Sequence, residues 1–155
     1  MNSPYLDVYA DQWRMAHGDM LEVIESLPEE AINWVPYEGG NSIAVLVTHV
    51  VGNELETLRT IRGLPSARDR SAEFDVTVAS AGDLRALLSE ARAVSEDLTP
   101  QITPEQLEAI VLRPNATRIN NRTGMYTLNH SILHAREHIG QMMLTRDLWR
   151  ARSLS

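Results

Sequence analysis

The chain has 155 residues, a net charge of −7 and no cysteine. That length fits one domain with a sizeable core, and 43% hydrophobic residues is the content of a globular protein rather than a disordered one. An acidic balance without any cluster of Lys and Arg argues against nucleic acid and anionic membrane surfaces. Without cysteine there is no disulfide, thiolate ligand or cysteine nucleophile, so any metal must be held by His, Asp or Glu.

Residues 1–12 show neither a basic region nor a long apolar run, so no signal peptide is expected. Residues 43–52 are the most apolar stretch. They are interrupted by Thr48 and His49 and are too short to span a bilayer. The expected location is the cytoplasm.

Periodicity predicts a first helix over residues 4–26. Ser3 is its expected cap, Pro4 suits its first turn, and Tyr5, Tyr9, Trp13, Ala16, Met20 and Ile24 share one face. Residues 28–33 read as a short helical turn before a loop at Pro36, Gly39 and Gly40. A second helix is predicted over 42–62, capped by Asn41 or Ser42. Its stripe is Ile43, Leu46, Val47, Val50, Leu58 and Ile61, and Gly63 and Pro65 stop it. Residues 64–79 are polar and expected to be extended.

A third helix follows over 81–98, with Ser80 and Asp83 as a capping pair and Leu84, Leu87, Leu88, Ala91, Val94 and Leu98 as its stripe. Thr103 and Pro104 open a short helix over 103–110, and residues 111–124, rich in Asn, Thr and Arg, read as a loop. A fourth long helix is predicted over 125–147, with Leu128, Ile132, Ala135, Ile139 and Met142 facing inward. Four amphipathic helices and no useful alternating strand predict an all-α four-helix bundle, a single domain over 1–149 with a frayed tail at 150–155.

The fourth helix carries His130, His134 and His138 at four-residue spacing. Residues at i and i+4 project from one side of a helix, so His134 and His138 can share one metal ion. A firm site needs a third ligand. His49 is the best candidate, because it lies mid-helix beside the core positions Leu46 and Val50. His130 rotates roughly 140° from Ala135 at about 100° per residue, which makes it a surface or supporting residue. His17, between Trp13 and Met20, is less well placed. His134 to His138 also satisfies H-x-x-E-H, with Glu137 as the general base of a zinc peptidase. That reading needs an acidic ligand well downstream, and few residues follow His138, of which only Asp147 is acidic. It is set aside.

Residues 42–49, Ser-Ile-Ala-Val-Leu-Val-Thr-His, resemble the S-I-x-x-L-x-x-H signature of the DinB-like (YfiT-like) proteins. Residues 134–141, His-Ala-Arg-Glu-His-Ile-Gly-Gln, resemble that family's H-x-x-x-H-x-G-Q. Order and separation match, and the resemblance spans nearly the whole chain. It implies a bundle of up-down-down-up connectivity and a divalent metal, commonly Zn or Ni, on His49, His134 and His138. It also implies a homodimer and, in several groups, transfer of a low-molecular-weight thiol to an electrophile. Ile139 departs from the family, which often has a basic residue there.

The physical chemistry fits that implication. Coordination lowers a thiol's pKa and favours the nucleophilic thiolate. With no cysteine in the chain, the thiol must be a cosubstrate. Gln141 is placed to orient a ligand, Gly140 to admit a close helix, and Glu137 to make a salt bridge or support His138. Arg118 and Arg122 could meet an anionic cosubstrate. Leu133, Leu144 and Leu148 form a second apolar strip that suggests a further partner. The expected function is a metal-dependent thiol S-transferase acting on a small thiol and an electrophile. The alternatives are a non-catalytic metal or small-ligand binding protein, or a metal-dependent hydrolase using bound water.

Overall fold

The computed structural model describes residues 3–111 and 122–152. Its long helices are α1 (Pro4–Glu25), α2 (Ile43–Ile61), α3 (Ala81–Leu98) and α5 (Gly124–Ala151), with a short α4 (Pro104–Glu108) between the last two. α2 and α1 each pack against both α5 and α3. The bundle is therefore all-α, as the periodicity predicts. No helix among the described residues is long and apolar enough to cross a membrane.

Local chemistry sets most boundaries. Ser42 caps α2 by accepting the Val45 N–H at 3.2 Å, and Gly63 closes that helix at φ +69°, a conformation glycine adopts without a Cβ penalty. Asp83 accepts the Ser80 N–H at 2.9 Å at the start of α3. Thr103 and Gln106 cap α4 reciprocally, at 3.0 and 3.3 Å. Ser3 stands at the cap position of α1, but its hydroxyl makes no capping bond there.

The inward stripes meet in one core. Trp13, Met20, Leu46, Leu58, Leu84, Leu128 and Met142 are almost wholly buried. Each such side chain is worth roughly 1.5–3 kcal/mol of transfer free energy. Val94, expected in the α3 stripe, is instead 37% exposed; with Leu87 it lines a surface groove between α2 and α3. α1 and α5 run parallel. Tyr5 Oη donates to Met125 O (3.0 Å), Tyr9 Oη meets Ser131 Oγ (3.4 Å), Arg136 pairs with Asp19, and Arg150 donates to Ser26 O (3.1 Å).

Two expectations are corrected. α5 continues to Ala151 rather than ending near residue 147, so Arg150 and Ala151 are helical, while residues 153–155 of the expected tail lie outside the described residues. Trp149 is buried edge-on against Trp34, ring centroids 5.4 Å apart, and that contact carries the helix onward. The segment read as a loop at 111–124 carries strand at Val111 and at Arg122–Thr123, and its residues 112–121 lie outside the described residues. Ile110–Val111 (β1) pairs antiparallel with Arg122–Thr123 (β2), Ile110 opposite Thr123. Two-residue strands are too short to show alternation in a sequence.

Candidate metal centre

His49 sits near the middle of α2, and His134 and His138 occupy successive turns of α5, the helix packed on α2. The bundle brings the three together. His134 Nε2 lies 3.1 Å from His49 Nε2 and 3.1 Å from His138 Nε2. Two imidazoles on a tetrahedral zinc ion, at Zn–N of about 2.0–2.1 Å, place their nitrogens roughly 3.3 Å apart. The spacing therefore fits a small divalent cation held by three Nε2 atoms.

The opposite ring nitrogens sharpen this. His49 Nδ1 donates to Glu73 Oε2 at 2.8 Å, and His138 Nδ1 donates to Gln141 Oε1 at 2.8 Å. A neutral imidazole with its proton on Nδ1 presents a lone pair at Nε2. Two lone pairs thus point at His134 Nε2, and one N–H from that ring can satisfy only one of them. A cation answers all three rings at once. His134 Nδ1 is buried with no partner among the described residues.

A proton is a poor substitute for that cation. Burial is the main cause that pushes the His134 pKa down to about 3, helped by charge on His138, His49, Arg68 and His130. Burial also lowers His138, against the opposing effect of its hydrogen bond to Gln141. For Glu73, burial works to raise the pKa, but Arg68 and His49 outweigh it and hold the carboxyl below its ordinary range. Both histidine shifts favour the neutral form of His134 and His138, the state in which imidazole binds metal.

The structure distributes the remaining candidates unevenly. Gln141 reaches His138 rather than open space. His130 is exposed and stacks on Tyr126 at 6.3 Å. Glu137 is exposed, makes no hydrogen bond or ion pair among the described residues, and acts on His138 only through its charge. His17 is elsewhere in the core, its Nε2 2.8 Å from the fully buried Glu54. Arg122 lies over the Tyr126 ring at 4.9 Å, and Arg118 lies outside the described residues. A Cβ on Gly140 would meet nothing within 4 Å, so no helix among the described residues approaches it closely.

Three residues were not foreseen, all in the polar stretch 64–79. Glu73 and Phe74 belong to a single 3-10 turn, Ala72–Phe74, that lies against α2. Glu73 holds His49, Arg68 holds Glu73 through bonds of 2.6 and 2.8 Å, and the Phe74 ring lies 4.9 Å from the His49 ring. Phe74 is partly exposed and gives the cluster an apolar wall, with Arg70 over its outer face at 5.1 Å.

A family model described as the DinB superfamily matches residues 12–142. The chain belongs to the DinB superfamily. No curated protein matches it. Among solved structures it is similar to one described as "Crystal structure of the conserved protein of locus from Enterococcus faecalis". That chain is 20% identical, with a TM-score of 0.75 over 96% of this chain and 97% of the other. At that identity the likeness speaks for the fold. As a DinB superfamily member, the protein carries the expected histidines on facing helices, where they could bind a metal ion.

Proposed function

We propose that this DinB superfamily protein binds one divalent metal ion, Zn or Ni, through Nε2 of His49, His134 and His138. We propose further that it serves as a thiol S-transferase. The observation that carries the first step is the convergence of three Nε2 atoms, those of His49 and His138 each 3.1 Å from that of His134, with the far nitrogens of His49 and His138 already committed to Glu73 and Gln141. Three protein ligands leave room for an exogenous group. The ion would supply Lewis acidity that lowers the pKa of a thiol at neutral pH.

The chain's own residues supply the surroundings. Phe74 places an apolar ring against the cluster on the His49 side. Gln141 and Glu73 orient their histidines. In the transfer, the thiol gives its proton to solvent, its sulfur forms a bond to an electrophilic carbon, and the bond from that carbon to the leaving group breaks, its electrons departing with the leaving group. The chain contains no cysteine, so the sulfur comes from a small cosubstrate.

Metal content of the purified protein tests the first step. Wild type is expected to hold close to one equivalent and His134→Ala far less; negligible metal in both would sink the proposal. Loaded protein mixed with small thiols and a generic electrophile tests the second step by loss of free thiol. Metal without thiol consumption would leave a binding protein, and thiol-independent ester cleavage would indicate a hydrolase.

A further inference from the structure

The polar segment after α2 makes an unusual contact with that helix. Gly52 lies one turn beyond His49, in mid-helix, where glycine is less favourable than alanine. A Cβ at this position would stand 2.2 Å from Glu73 Oε1, 3.0 Å from Glu73 Cδ and 3.3 Å from Arg68 Nε. Glu73 occupies the space that a side chain at 52 would take. From there its other oxygen reaches His49 Nδ1 at 2.8 Å.

Arg68 locks the carboxylate by a two-pronged pairing, Nε to Oε1 at 2.6 Å and Nη2 to Oε2 at 2.8 Å. Its Nη2 also donates to the His49 carbonyl at 3.4 Å. Such forked pairs fix direction as well as distance. Glu73 is buried, and Arg68 is only 13% exposed at its side chain.

From this geometry we propose that Gly52, Arg68 and Glu73 form one positioning device for His49. The glycine admits the carboxylate, the arginine holds it, and the carboxylate keeps the His49 proton on Nδ1, so that Nε2 faces His134. None of the three touches the other histidines' ring nitrogens. The inference rests on the metal-binding reading and adds that this device tunes it. Groups that hydrogen-bond a metal-ligating histidine commonly change affinity about 10–100-fold when removed.

The test uses Gly52→Ala, Glu73→Ala, Glu73→Gln and the double variant Gly52→Ala/Glu73→Ala. Zinc affinity is measured by competition with a chromophoric chelator. The His49 ring tautomer is read from nitrogen chemical shifts of the metal-free protein, and thermal melting reports folding. Gly52→Ala and Glu73→Ala should each bind zinc about 10–100-fold more weakly. Glu73→Gln, nearly isosteric and uncharged, should fall between them and wild type.

In the Glu73→Ala background the alanine at 52 no longer collides. It should then leave zinc affinity unchanged and raise the melting temperature above that of Glu73→Ala alone. His49 should hold its proton on Nδ1 in wild type and share it between both nitrogens in Glu73→Ala. If wild type binds zinc and the single variants bind it equally well, the positioning device is overturned and the metal site survives. A wild type that takes up no zinc overturns both, as does an Nε2-protonated His49 in wild type for the device.

Discussion

Burial and neighbouring charge hold His134 at a pKa of about 3, against 6.5 for a free histidine. Between those values the unfolded chain takes up a proton that the native protein refuses. Stability therefore rises with pH across that window and is lost as pH falls. Glu73 acts in the same direction: its carboxyl is held low in the native state, so its contribution is present above the ordinary carboxylate range and disappears on acidification. The urea midpoint of the metal-free protein should fall steadily from about pH 6.5 downward. His134→Gln should flatten that slope, and an unchanged slope would refute the assignment. The histidines were legible in the sequence because i,i+4 spacing and a signature expose them. Glu73, Arg68 and Phe74 were not. They sit in a segment with no periodicity, and only its docking on α2 gives them a role.

Helices show a similar division. The inward stripes of α1, α2 and α5 follow directly from 3.6-residue periodicity, because burial of one face is what stabilises an amphipathic helix. Ends set by local capping were also readable, as at Ser42 and Thr103. The end of α5 was not, since Trp149 is held by Trp34, a residue more than half the chain away. Ser42 offers a clean test of a cap remote from the histidine rings. Ser42→Ala should cost about 1 kcal/mol in urea unfolding and Ser42→Gly only a few tenths. Neither should move zinc affinity, because the Gly52–Glu73 contact a few turns along stays intact. A Ser42→Ala protein as stable as wild type would show that the Val45 N–H finds another acceptor.

For the molecule as a whole, the outer faces of α1 and α5 need an explanation. Leu133 is 68% exposed and Leu144 59%, and the two lie roughly 20° apart on the helix at about 100° per residue. Gly140 falls on the same line with nothing near it. On the parallel neighbour α1, Val8 and Met15 are 58% and 57% exposed. A second copy of the chain would bury such a strip, with Gly140 admitting close approach. Sedimentation should give a dimer for wild type and a monomer for Leu133→Glu/Leu144→Glu, both with the same helical content. A monomeric wild type at micromolar concentration would sink the inference.

The histidine cluster also bears on how the chain is tied together. His49 and His134 are 85 residues apart in sequence, on helices α2 and α5, which pack against each other. A metal shared between them would bind the folded chain, which brings the three rings together, far better than the unfolded one, so its binding free energy would add to the stability of the fold. The sequence has no cysteine with which to build such a link covalently. An ion at the centre of this bundle would be its staple, reversible and removable by a chelator.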